Sequence, residues 1–146
     1  MDSTTDSTDI FHHIIPNQLS EISRVNREFN AFSEKHGITS GIRRSFKLVL
    51  DELLNNIISY AYSDNQEHEI EIVCRYHRDR LILSISDEGF PFNPFVGEPP
   101  DTAVPLAERP IGGLGIHLVQ NHMDKVTYKR QVNKNVVTLV KYFAGD

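Results

Sequence analysis

The chain has 146 residues, 39% of them hydrophobic and 24% charged, with a formal net charge of −5. That length bounds one domain with one core. The mild acidity and the lack of any basic block argue against an electrostatic nucleic-acid footprint and against attraction to anionic membranes.

The start, "MDSTTDSTD", is acidic and polar and lacks the basic flank and apolar run of a signal peptide. Residues 1–9 therefore read as a flexible tail, residues 10–146 as a single domain, and the protein as cytoplasmic. No apolar run approaches the ~18–20 residues that a membrane span needs. Cys74, the one cysteine, excludes a disulfide framework within the chain and reads as a small buried hydrophobe.

"IFHHIIP" (10–16) is short, apolar and β-leaning, and Pro16 closes it as an edge strand. In the following segment Leu19, Ile22, Phe29 and Phe32 recur at helical spacing, and Gly37 supplies a stop. Thr39 and Ser40 offer an N-cap for a second helix whose apolar face runs Ile42, Phe46, Val49, Leu53, Ile57, Ala61. It should end near 62–64. "EIEIVCRYH" and "RLILSIS" alternate and read as a hairpin across "RDR". Ile70, Ile72 and Cys74 share one face of the first strand, and Leu81, Leu83 and Ile85 one face of the second.

Six of the seven prolines and five of the eight glycines then lie between Gly89 and Gly115. A loop this long in a compact domain is usually functional or disordered. "IHLVQNHM" resumes as a helix, and "KVTYKRQV" and "NVVTLVKYF" form a last hairpin across "NK" or "NKN". The order β-α-α-β-β-loop-α-β-β predicts an α+β two-layer sandwich, with a mixed, mostly antiparallel sheet and the helices on one face.

Three places in this frame carry chemistry. In "LVLDELLNNIISYAY", Glu52 and Asn56 are four residues apart, about 40° around a helix, so a carboxylate and an amide lie side by side. A carboxylate can act as a general base or bind a hard cation, and an amide oxygen suits Mg²⁺. The same pair could be the solvated edge of an amphipathic helix. In "SISDEGFPF", Asp87 ends an apolar strand beside Gly89. It could accept a hydrogen bond from a ligand amino group, or simply serve the turn. In "RPIGGLGIHLV", Gly112, Gly113 and Gly115 run into a helix, where unpaired N–H groups could meet phosphate oxygens. A plain connector is the alternative. No Gly-Lys-Ser/Thr ending makes this a P-loop, and the glycine spacing is not a dinucleotide fingerprint.

Taken together and in this order, the three stretches resemble the GHKL (Bergerat-fold) ATPases, and among them the small anti-sigma-factor serine kinases. The resemblance runs from about Ile10 to Phe143. "DELLNNIISYAY" is similar to the N box, which implies Glu52 as the general base and Asn56 as the Mg²⁺ ligand beside the phosphates. "DEGFPF" resembles the G1 box, which implies Asp87 as acceptor for the adenine amino group with Gly89 beside the base. "GGLGIHLV" resembles the G2 box, which implies nucleotide contacts from Gly112, Gly113, Leu114, Gly115 and Ile116. The stretch from about Asn93 to Ile111 corresponds to an ATP lid, from which Arg109 could reach the phosphates.

The resemblance implies an ATP- and Mg²⁺-dependent protein serine/threonine kinase that phosphorylates an anti-sigma-factor antagonist. It also implies a sigma factor as second partner and a homodimer. The rival reading is a non-catalytic switch that binds ATP to order a partner surface. Pro91, Asn93, Tyr60 and Ile111 depart from the family pattern, and Pro91 predicts a stiffer turn on the adenine side. The histidines do not suggest a metal site: His12 and His13 point to opposite strand faces, and His117 and His122 are poorly spaced for ligation.

Overall fold

The computed structural model describes residues 9–95 and 113–143. In chain order the elements are β1 (Asp9–Pro16), α1 (Ser20–Lys35), α2 (Ser40–Tyr60), β2 (Glu69–His77), β3 (Arg80–Asp87), α3 (Gly113–His122), β4 (Lys125–Gln131) and β5 (Lys134–Tyr142). The strands form one sheet in the order β1-β2-β3-β5-β4, and every neighbouring pair is antiparallel. This is the α+β fold that the pattern of elements predicts, except that the sheet of the described residues is antiparallel throughout rather than mixed, because each neighbouring pair runs in opposite directions.

Period-two alternation sets which side of each strand is buried. Ile70, Ile72 and Cys74 of β2, Leu81, Leu83 and Ile85 of β3, and Val137 and Leu139 of β5 all face the core. Phe46, Val49, Leu50, Leu53 and Leu54 of α2 cover them, with Val25 and Phe29 from α1 and Val119 and Met123 at α3. Each such side chain stabilises the fold by roughly 1.5–3 kcal/mol. His12 and His13 follow the same alternation. His12 Nε2 meets Glu71 at 2.8 Å on the outer face, whereas His13 Nε2 meets Glu28 of α1 at 3.0 Å.

The helix ends obey the local signals. Thr39 Oγ1 accepts from the Ile42 N–H at 3.4 Å as the N-cap of α2. At the end of α1, Gly37 takes φ +70°. Its N–H donates to Glu34 O, and the Ile38 N–H donates to Ser33 O, which together form a Schellman motif. Asp9, at the free end of β1, sits 2.7 Å from Lys35 Nζ and 2.9 Å from His36 Nε2. Its hydrogen bonds to Lys35 and then His36 hold its carboxyl down at about 2.

Two boundaries differ from the sequence expectation. α2 stops at Tyr60, because Ala61 and Tyr62 are taken up elsewhere. The Ala61 carbonyl accepts from the Phe90 N–H at 3.0 Å, and the Tyr62 hydroxyl accepts from the Glu88 N–H at 2.9 Å while its ring stacks on His68. The last hairpin turns at Val132–Asn133 rather than at "NK" or "NKN". Val132 carries the turn at φ +58°, fully outside at 89% exposure, and Asn135 is drawn into β5.

Candidate functional site

α2 is wide enough in its apolar face to bury one flank against the sheet and still turn another toward the ends of β3 and β5. Between them lies a cavity of about 450 Å³. Leu53, Ile57 and Ala61 of the α2 segment form one wall, and Ile85 and Val137 of the sheet form another. Phe90, Pro91, Phe92 and Pro94 stand at the side where the chain leaves β3. Among the described residues, three strongly polar side chains reach this space: Asn56, Asp87 and Asn135. A mostly apolar cleft with a few fixed polar groups is the usual form of a small-molecule site.

Asp87 is placed by β3, whose last residue it is, and is only 5% exposed. Its Oδ1 accepts from the Gly89 N–H at 2.8 Å and from Asn135 Nδ2 at 3.1 Å. Burial pushes its carboxyl above the usual aspartate range, and these two hydrogen bonds, with the nearby Arg130 charge, oppose that rise. Among the described residues no hydrogen bond engages Oδ2. Gly89 must be glycine for lack of room: a Cβ there would lie 2.5 Å from Ala61 O and 2.6 Å from Ala61 Cβ. The turn thus packs directly on the end of α2.

Asn56 also lines the cavity, one turn before Tyr60. Glu52 does not line it. It sits one turn further back, half-buried, and its Oε2 accepts from Asn56 Nδ2 at 3.3 Å. The sequence spacing therefore does bring carboxylate and amide together. Burial pushes the Glu52 carboxyl up, and the Asn56 hydrogen bond partly offsets this. The bond uses the amide N–H and leaves Asn56 Oδ1 as the atom that could face a cation.

Gly113, Leu114, Gly115 and Ile116 form the first turn of α3. Their N–H groups are those that a helix leaves without an intrahelical partner. α3 is tied to α2 by the Ser45 Oγ–His122 Nδ1 contact at 3.0 Å and by buried Val119. Arg109 and Gly112, and most of the expected lid, lie outside the described residues. Among the described residues there is no cluster of three or more His, Cys, Asp or Glu suited to a metal.

Sequence reasoning missed Asn135, Tyr128 and Arg130. Asn135 is 5% exposed, accepts at Oδ1 from the Tyr128 hydroxyl at 2.6 Å, and pairs with Asp87 across β3–β5. Arg130 donates to the Gly89 carbonyl at 2.9 Å. The available signal was the inward alternation Asn135, Val137, Leu139, which reading "NKN" as a turn conceals.

The end of one helix and the ends of two strands thus share one cavity. A family model described as the histidine kinase-like ATPase domain matches residues 15–141, and the chain belongs to this family. It is similar to the serine/threonine-protein kinase BtrW of Bordetella bronchiseptica, 31% identical over 105 residues, covering 72% of this chain and 74% of that protein. It is also similar to the serine-protein kinase RsbW of Bacillus velezensis, 27% identical over 150 aligned residues, covering 96% of this chain and 89% of that one. RsbW of Bacillus subtilis is 25% identical, covering 90% and 84%. Among solved structures, the Acinetobacter baumannii histidine kinase AdeS covers 93% of this chain and 67% of its own, with 16% identity and a TM-score of 0.48. The family and the kinase class that the sequence motifs imply agree with the family match and with the BtrW and RsbW relatives. No helix among the described residues is long and apolar enough to cross a membrane.

Proposed function

We propose that the cavity binds ATP and that the protein is an ATP-dependent protein serine/threonine kinase of the anti-sigma-factor type. The observation that carries this reading is the meeting of Asp87 and Asn56 in one apolar cavity, with Glu52 hydrogen-bonded to Asn56 at its edge. The apolar walls suit a flat purine, and Asp87 Oδ2 suits its amino group. The first turn of α3, with Gly113, Leu114, Gly115 and Ile116, suits phosphate oxygens. Gly112 and Arg109, which lie outside the described residues, are proposed as further phosphate contacts on the sequence resemblance alone.

Mg²⁺ fits Asn56 Oδ1, since this ion takes few protein oxygens and completes its shell with water and phosphate. When bound it neutralises phosphate charge. Glu52 then takes the proton of the partner's seryl hydroxyl as that oxygen bonds to the γ-phosphorus and the bond to the ADP oxygen breaks. The raised Glu52 carboxyl makes a stronger base, and it places the acid limb of the pH profile above the ordinary glutamate range. The substrate is a regulatory protein such as an anti-sigma-factor antagonist, with a sigma factor as second partner. The protein works as a cytoplasmic homodimer, with residues 10–146 as one ATP-binding unit.

Glu52 turns toward Asn56 rather than into the cavity, which favours a second reading: an ATP-dependent switch without transfer. Glu52→Gln separates the two. Phosphate transfer to a serine-bearing partner should fall by roughly 10²–10⁴-fold, with ATP affinity unchanged and the acid limb lost. Undiminished transfer would overturn the catalytic role of Glu52. ATP-dependent partner capture without transfer in the wild type would favour the switch.

A further inference from the structure

The most fully hydrogen-bonded side chain at the cavity is Asn135. A carboxamide has two N–H donors and two oxygen lone pairs. Asn135 uses all four. Nδ2 donates to Asp87 Oδ1 at 3.1 Å and to the Phe90 carbonyl at 2.7 Å. Oδ1 accepts from the Tyr128 hydroxyl at 2.6 Å and from the Phe92 N–H at 3.2 Å.

This set of partners fixes which way the amide points. A flipped amide would set its NH₂ against the Phe92 N–H, which can only donate. Its oxygen would face the Phe90 carbonyl and the Asp87 carboxylate, which can only accept. The carboxamide is also buried, so no orientation could recover its partners from water.

The consequence reaches Asp87. Two donors, the Gly89 N–H and Asn135 Nδ2, converge on Oδ1. They hold the carboxylate plane and leave Oδ2 as the acceptor for a ligand. The same amide grips the chain at Phe90 and Phe92, where it leaves β3 along the cavity. It therefore sets the position of Pro91 between them.

We propose that Asn135 is the positioning residue that makes the base pocket selective for an amino-bearing purine over a 6-oxo purine. With Oδ1 saturated and its plane fixed, Asp87 offers Oδ2 to an exocyclic amino donor. A carbonyl at that place meets a carboxylate oxygen with no proton between them. A site built to accept from an amino group rejects the analogue that lacks it, because the buried acceptor is then left unpaired. Tyr128 is the lock on Asn135, since its hydroxyl holds Oδ1 away from Asp87. The inference rests on the nucleotide reading of the cavity and goes beyond it in naming what sets base selectivity.

The test is direct binding of ATP and of inosine triphosphate to the full chain, for the wild type, Asn135→Ala and Tyr128→Phe. Circular dichroism and thermal melting of each protein without nucleotide establish that it is folded. In the wild type ATP should bind tighter than inosine triphosphate by roughly ten- to a hundredfold, the range of a hydrogen bond to a charged group. Asn135→Ala should lower that ratio severalfold, since Asp87 keeps its carboxylate and the Gly89 N–H but loses its second anchor, and Tyr128→Phe should lower it less. A carboxyl-carbon NMR titration of Asp87 should move upward in Asn135→Ala, because a donor to the ionised form is gone.

A folded Asn135→Ala that keeps the wild-type ratio overturns the proposal. If Asn135→Ala does not fold, an unchanged ratio in Tyr128→Phe overturns it instead. A wild type that binds both nucleotides equally also overturns it, while leaving the nucleotide site standing. A wild type that binds neither removes the nucleotide reading itself.

Discussion

The two ends of the cavity are built on opposite plans. At the Asp87 end the polar groups are buried and tied to one another: the carboxylate to Gly89 and Asn135, and Asn135 in turn to Tyr128, Phe90 and Phe92. At the Glu52 end a half-buried acid and an amide share one 3.3 Å hydrogen bond between adjacent turns of α2. A group that must recognise a fixed shape gains from being held before the ligand arrives. Groups that must meet a cation, phosphates and a partner's hydroxyl gain from having capacity left over. On the proposed nucleotide reading, the rigid end would read the base and the looser end would serve the transfer.

The sharpest way to break this comparison is Asp87→Asn. Its Oδ1 can keep both existing hydrogen bonds, so the fold should survive. Its NH₂ would replace Oδ2 and oppose an amino donor, so ATP affinity should fall by roughly a hundredfold or more by calorimetry. The sign of the pH effect follows from burial. A carboxyl raised in the folded state stabilises the fold fully below its unfolded value and loses that contribution as pH rises through the folded one. Urea denaturation should therefore show the wild type losing ground to Asp87→Asn between the ordinary aspartate range and neutrality. An apo variant much less stable than the wild type at pH 7 would contradict a buried, charge-penalised Asp87.

Gly89→Ala tests the rigidity of the same end. The added methyl meets backbone of Ala61 and cannot be absorbed by a side-chain rotation. It should cost about 1–3 kcal/mol in stability and weaken ATP binding along with it. An alanine tolerated without loss would mean that the turn is not packed on α2.

At the other end, Asn56→Ala should remove about tenfold of the gain in ATP affinity that Mg²⁺ brings, with Mg²⁺-free binding little changed. An Mg²⁺ gain that persists would place the cation elsewhere. The smallest effect belongs to a charge remote from both ends. Asp9 is depressed to about 2 by Lys35 and His36, so its contribution is present at neutral pH and fades from the ordinary aspartate value of 3.8 down through 2. Asp9→Asn should slightly lower the melting temperature at pH 7, by less as pH falls through 3.8 toward 2, and not at all below that. It should not alter nucleotide affinity.

The alternation of β2 and β3, the apolar face of α2, the Thr39 cap and the Gly37 stop were all legible, because each rests on residues within one turn or one strand. Glu52 beside Asn56 was legible for the same reason: helical spacing alone brings them together. Asn135 was not. Its role depends on which residue of β5 pairs with Asp87 of β3, strands far apart in sequence, and on the turn at Val132–Asn133 leaving Asn135 inside β5. Valine at positive φ is a poor turn signal, and the "NKN" beside it is a better one. The need for Gly89 was hidden too, since the atom that excludes a side chain there belongs to Ala61, twenty-eight positions away in sequence.

The Phe90 N–H bonded to the Ala61 carbonyl has a consequence for cooperativity. A helix end leaves carbonyls without partners, and here one of them is satisfied by the turn that follows Asp87 rather than by a cap within the helix. The last turn of α2 and the turn after Asp87 are therefore coupled, since opening either one breaks a hydrogen bond of the other. A ligand that orders the turn after Asp87 should therefore slow amide exchange at the end of α2, the helix that also carries Asn56.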